Sequence, residues 1–345
     1  MTALASLMTT GIGSLPLADA DEAAGLVLEA DLSIPFWPQL PKRQALEGIV
    51  PQFAGLVPCV QVDHDSGAAT WDATDCYAAL EPFYERYLEE DPSAFALGDT
   101  AAGFAAFERA AAGRRWPVVK GQVTGPITLT TGIADAAKAP LYGNAELRDA
   151  AVKALARTAE WQIKRLRAFA TEAVLIFVDE PVLAAYGSST YVGISEQDVR
   201  TLLGEVFDAI TTGGGIPGIH VCGNSDWGVV CRTGVEVLNF DAYQYGTTVA
   251  LYPDDMRTLF ARGGRIAWGI VPTTEAVRRE TAASLVERLD ACFDALTAKG
   301  FTKEEIRAQS LLTPSCGAGS LEPDDARRVF DLLRDVREAV QARSR

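Results

Sequence analysis

The feature that most constrains this chain is a repeating unit: a short apolar run that stops at a polar turn and is followed by a stretch with helical spacing. Residues 173–178 show it most clearly. They are apolar at every position and stop at Asp179-Glu180-Pro181. A strand with no polar face must be buried on both sides, which happens in parallel sheets covered by helices. Runs of the same kind fall at 10–16, 34–39, 117–123, 218–222, 235–241, 265–271 and 310–317. Between most of them lie stretches that read as helix, such as 42–53, 144–170 and 275–299. This alternation predicts an α/β protein with a parallel sheet, and eight units predict a closed (β/α)8 TIM barrel. Such a barrel needs about 250 residues. The chain has 345, so the excess is expected as an N-terminal extra strand near 59–63 and a helical insertion, about 57–115 overall. Within it, 71–112 reads as helix broken at Pro82 and Pro92. Neither a linker nor a tandem repeat interrupts the pattern, so 1–345 is expected to be a single domain.

Charge removes some function classes. A net charge of −15 does not suit a phosphate backbone or an anionic lipid surface, so neither nucleic acid nor membrane is an expected partner. The first ten residues lack a basic segment, and no apolar run approaches the ~18 residues of a membrane span. A cytoplasmic location is the expectation. The six cysteines are scattered, which fits a reducing compartment and unpaired thiols. Cys59, Cys76, Cys231 and Cys292 read as buried thiols.

The chemistry gathers at the ends of the runs, which read GSLP, TGP, DEP, HVCGN, FDAY, VPTT and PSCG. In a barrel these C-terminal ends converge on one mouth. His220 and Cys222, two apart on a strand, leave the same face. An imidazole and a thiolate side by side suit zinc. Cys316, at the last strand end, supplies a third ligand, and three N/S ligands with an open position is the pattern of catalytic zinc. Asp241 ends the intervening strand at the same mouth.

In this order, GIGSLP, VTGP, FVDEP, IHVCGN and PSCG resemble the catalytic half of cobalamin-independent methionine synthase. They also resemble zinc-dependent methyltransferases that move methyl from a corrinoid to a thiol such as coenzyme M. Both families belong to the uroporphyrinogen decarboxylase-like superfamily of barrels. The resemblance implies zinc on His220, Cys222 and Cys316. It places Asp241 where the synthases have a glutamate ligand. One methylene shorter, Asp241 is expected either to ligate, to support a ligand, or to be displaced by substrate. The resemblance also implies that Ser14 and the backbone of Ile12 and Gly13 hold the carboxylate of homocysteine, and that Asp179 holds its ammonium. The family's acidic contact after the second strand has no counterpart in Gln39-Leu40-Pro41-Lys42-Arg43.

The expected activity is therefore methyl transfer to a thiol, homocysteine giving methionine, with Asp179 and Asp241 as the carboxylates closest to the chemistry. The expected donor is methylcobalamin or a related corrinoid on a partner protein. The folate-using synthases resemble two barrels in tandem, and a polyanionic folate tail favours a basic groove. Three alternatives stand beside this reading: transfer to a coenzyme M-like thiol, a metal-free decarboxylase of the same fold, and a non-catalytic zinc or corrinoid carrier.

Overall fold

The computed structural model describes residues 3–72, 74, 76–187 and 193–343. Strands β1 (Val60–Val62) and β2 (Ala69–Trp71) form an antiparallel hairpin. Six further strands form one curled parallel sheet, ordered as in the chain: β3 (Trp116–Thr124), β4 (Ala170–Asp179), β5 (Gly215–Val221), β6 (Val237–Phe240), β7 (Arg265–Val271) and β8 (Ser310–Pro314). Helices connect successive strands, among them Ala145–Leu166, Glu196–Thr212 and Ala282–Thr297. Each starts where a side chain takes up free N–H groups. Asn144 accepts from Leu147, while Ser195 with Asp198 and Thr281 with Ser284 form reciprocal capping boxes.

Segments 10–16 and 34–39, expected as strands, build no ladder of their own. They meet the sheet through single parallel bridges, Thr9 to Leu312 of β8 and Phe36 to Lys120 of β3, and meet each other at Ser14 and Gln39. The composition accounts for this. Pro16, Pro35 and Pro38 have no N–H to donate, and Gly11 and Gly13 favour irregular backbone. The carbonyl of Pro35 still accepts from the Lys120 N–H at 2.8 Å.

The strands sort their side chains by alternation. On the concave side, Val118, Leu175, Phe177, Val237, Ala267 and Leu311 form an apolar cluster with Ile12 and Ile34. The intervening residues of β4, Val174, Ile176 and Val178, pack in the main core with residues of the helices. Burying a side chain such as Phe177 contributes about 1.5–3 kcal/mol. Toward the C-terminal ends the concave positions turn polar: Lys120, Gln122, Asp179, His220, Asn239 and Thr313, all buried. That switch marks the site.

The N-terminal third departs from expectation in three places. Residues 42–53, expected as one helix, form a short turn of helix at Ala45–Glu47 and another at Pro51–Ala54, because Gly48 and Pro51 interrupt the run. Trp71, expected in a helix, pairs with Val60 in the hairpin. Cys59 and Cys76, expected as free thiols, are joined in a disulfide, since the hairpin brings their Cα atoms to 5.6 Å. Cys231 and Cys292 are free and buried, as expected. The rest of the insertion packs on the side of the sheet. Phe104 stacks on Trp161 at 4.6 Å, and Gly103 lies so close to the Pro38 carbonyl that a Cβ would stand 1.9 Å from its oxygen. Among the described residues no helix is long and apolar enough to cross a membrane.

Candidate metal and substrate site

The ladder register explains how the ligands meet. Asp179 of β4 is level with His220 of β5, and His220 with Asn239 of β6. Partners in a parallel ladder point the same way, so the three side chains form one row on the concave side. Cys222 follows β5, and Cys316 follows β8. The ligand atoms of His220, Cys222 and Cys316 all lie within 4.8 Å of one another. His220 Nε2 is 2.9 Å from Cys222 Sγ, which is 2.7 Å from Cys316 Sγ.

A hydrogen-bond relay sets the imidazole. Asn239 donates from Nδ2 to the Ala267 carbonyl and to Thr313 Oγ1, both at 2.7 Å. A carbonyl cannot donate, so Asn239 must turn Oδ1 toward His220 Nδ1, 2.5 Å away. Nδ1 therefore carries a hydrogen, and Nε2 is the nitrogen with a lone pair to give. An amide or carboxylate behind a ligating histidine is the usual device for this. Asn239 was overlooked in the sequence, although its place two residues before Asp241 on the same strand was visible.

The charges suit a cation. The hydrogen bond from Cys222 pulls the Cys316 thiol down to about 4 against the opposing effect of burial, and the imidazole adds to the pull. The same contact, with burial, pushes Cys222 up. Burial pushes Asp179 up to about 6, a rise held back by His220 and Lys120. One imidazole nitrogen, one ionised sulfur and a second sulfur that a metal would deprotonate fit zinc. Asp241 does not join the cluster. It caps the helix Ala242–Tyr245, and its two oxygens accept from Gln244 N at 3.0 Å and Gln244 Nε2 at 2.7 Å.

The cluster opens on a cavity of about 190 Å³, also lined by Ile12, Ser14, Gln39, Glu47 and Asp179. Asp179 Oδ1 and Glu47 Oε2 are fully buried and have no hydrogen-bond partner. The other oxygen of Glu47 accepts from Arg43 at 2.6 Å. Burial pushes Glu47 up, opposed by Arg43. Glu47 is a second residue overlooked in the sequence. It is the first acid after the 34–39 segment, placed by the short helical turn where a longer helix was expected. Ser14 lies against the turn after β8, where a Cβ on Gly317 would stand 2.1 Å from Ser14 Oγ. Ser14 Oγ accepts from Gly319 N at 3.2 Å. Gly13 does not line the cavity, and its carbonyl accepts from Gln39 N at 3.0 Å. The carbonyl of Ile12 is taken by Lys120 Nζ.

Lys120 is the third residue overlooked. It is fully buried, bonds Gln122 Oε1 at 3.0 Å, and lies 4.7 Å from the ring centre of Phe177. Burial pushes it down to about 7, opposed by the charge of Asp179. In sequence it was one lysine in an apolar strand, and nothing local showed which way it pointed.

No family model matches the chain, and no curated protein matches it. Solved structures do. A B12-independent methionine synthase from Shewanella sp. W3-18-1, in complex with selenomethionine, aligns with a TM-score of 0.61 at 15% identity, over 98% of this chain and 99% of that one. A methyltransferase from Methanosarcina mazei aligns with a TM-score of 0.59 at 13% identity, over 97% of this chain and 94% of that one. At these identities the likeness is one of fold, and that fold is shared with methyltransferase and methionine synthase structures.

Proposed function

We propose that this chain is a zinc-dependent methyltransferase that moves a methyl group to the thiol of homocysteine, giving methionine. One observation carries the reading: a single cavity is lined by the His220–Cys222–Cys316 cluster and by Asp179 and Glu47, each of which has a buried carboxylate oxygen without a partner. A buried unsatisfied polar atom costs about 1–3 kcal/mol, more when charged, and an ammonium group is the complement that removes this cost. A thiol reactive at one end and an ammonium at the other describe an amino-acid thiol. The fold shared with a methionine synthase bound to selenomethionine agrees with this. We also read the six-stranded sheet and its two bridged segments as one closed (β/α)8 barrel formed by the whole chain.

Zinc held by His220, Cys222 and Cys316 would supply the positive charge that keeps an acceptor thiol ionised at neutral pH. The protein's own groups do the rest. Asn239 holds the imidazole so that Nε2 faces the cluster. Asp179 and Glu47 receive the ammonium, and Ser14 receives the carboxylate, which fixes the sulfur at the cluster end. The sulfur pair then forms the bond to the methyl carbon. The bond from that carbon to its donor breaks, its electron pair stays with the donor, and the thiol proton goes to solvent. Fixing the acceptor in line is the main contribution such a site makes. Asp241, committed to Gln244, serves as a neighbouring charge rather than a ligand.

For the donor we favour a methyl-corrinoid on a partner protein, because a net charge of −15 is unsuited to a polyanionic folate tail. A second reading, a folate donor, is favoured by the Shewanella structure, which is called B12-independent and is matched over 99% of its length. Single-turnover reactions with homocysteine and methylcobalamin, a methylated corrinoid protein or methyl-tetrahydrofolate decide between them. Methionine from a corrinoid donor is expected. Methionine from the folate alone selects the second reading, and none from any donor removes the methyltransferase assignment.

A further inference from the structure

Gln39 lines the cavity beside Glu47 and Asp179, and the function reading above leaves it without a role. The orientation of its amide is fixed by a relay. Gln52 donates from Nε2 to the carbonyl of Thr100 at 2.5 Å. That carbonyl cannot donate, so Gln52 turns Oε1 toward Gln39. Gln39 must then answer with Nε2, and does so at 2.7 Å. Thr100 is held in turn, its hydroxyl donating to Leu97 O at 2.8 Å. The backbone of Gln39 is pinned on both sides, N to Gly13 O at 3.0 Å and O to Leu15 N at 2.9 Å. Among the described residues this leaves Gln39 Oε1 as the polar atom without a hydrogen-bond partner.

Three residues that line one cavity, Gln39, Glu47 and Asp179, therefore each carry an acceptor oxygen without a partner. An ammonium group has three N–H donors and no acceptor. We infer that Gln39 is a specificity-determining residue whose Oε1 accepts the third N–H of the substrate's amino group, in an orientation set by Gln52 and Thr100. This rests on the amino-acid reading of the cavity given above. It also gives the insertion a role. Arg43, which holds Glu47, reaches the Asp99 carbonyl at 3.3 Å. Both Glu47 and Gln39 are thus anchored, through one side chain each, to the Gly98–Ala101 turn of the insertion. Gln52 and Arg43 act as positioning residues for that wall.

The test compares binding of homocysteine with that of 4-sulfanylbutanoate, the same thiol acid without its amino group, by calorimetry on the zinc-loaded full chain. Wild type is expected to favour homocysteine. Gln39→Met, similar in shape but without an acceptor, should reduce that preference about tenfold, the effect of one hydrogen bond to a charged donor. Gln52→Met, which frees the Gln39 amide to turn over, should reduce it too, and keeps the test readable if Gln39→Met does not fold. A purely structural role would weaken both thiols alike and leave the ratio unchanged, which overturns the inference. If wild type favours homocysteine and Gln39→Met does so equally, the inference fails while the amino-acid reading stands. If wild type binds both thiols equally, the amino-acid reading fails and takes the inference with it.

Discussion

The cavity has two walls built by opposite means. The metal-binding wall comes from the ends of β5 and β8, strands held in ladders, and the register across β4, β5 and β6 places Asp179, His220 and Asn239 in one row. The wall that reads the substrate comes from residues 10–49, which pair with the sheet and with each other at isolated bridges rather than in ladders. There the shape is kept by side chains: Lys120 on the Ile12 carbonyl, Gln52 on Gln39, and Arg43 on Glu47. A ladder places ligands by geometry that no single side chain controls, since a slip of one residue would flip every position. The bridged wall depends on individual hydrogen bonds, each removable by one substitution, while its unpaired acceptors can serve a substrate.

Three substitutions press on this contrast. The largest effect is expected from Cys316→Ser, because a hydroxyl is a poor replacement for a thiolate. Wild type should carry about one zinc per chain, and the variant should lose most of it after dialysis while keeping its fold. Full retention in metal analysis would remove Cys316 from the cluster.

Next in size is Lys120→Met, which cuts the tie between the two walls. The folded-state pKa of Lys120, about 7, lies below its ordinary value of 10.5. Between the two, the unfolded chain binds a proton that the folded chain does not, so wild-type stability should rise as pH rises through that window. Below pH 7 the full penalty for burying the charge is present. Relative to Lys120→Met, wild type should gain on the order of a few kcal/mol between pH 7 and pH 10 in urea unfolding. Parallel pH dependences of the two proteins would mean that Lys120 stays charged throughout, kept so by Asp179 and the aromatic rings.

The smallest effect is expected from Asn239→Ala. Without the Oδ1 acceptor the imidazole is free to present either nitrogen, and zinc affinity should fall about 10–100-fold in competition with a chelator. Unchanged affinity would show that the ladder alone orients His220, and would sharpen the contrast between the walls.

Much of the metal wall was legible in the sequence. The alternation of two along β5 put His220 and Cys222 on one face, and a Cys after the last apolar run completed the set. The substrate wall was mostly hidden. Glu47 is hidden in a stretch that reads as one helix, whereas Gly48 and Pro51 split it into two short turns. Gln39, Gln52 and Lys120 are single polar residues in apolar surroundings, and their partners lie far along the chain: Thr100 for Gln52, and Ile12 for Lys120. The Cys59–Cys76 disulfide was hidden because the helical pattern starts at Trp71 and no strand is legible before it, so nothing brought the two thiols together.

By itself, the sequence determined the class of the fold and the kind of ligands it carries. Hydrophobic period and residue type are local properties, and a parallel sheet with a His–Cys–Cys cluster at its strand ends follows from them. Only the tertiary structure decided which carboxylates face the cluster, which end of each amide is presented, and that Asp241 is occupied by Gln244. Those outcomes depend on hydrogen-bond partners drawn from distant segments. A buried amide has two ends of nearly equal size, so its direction is chosen by the donors and acceptors that the fold places around it.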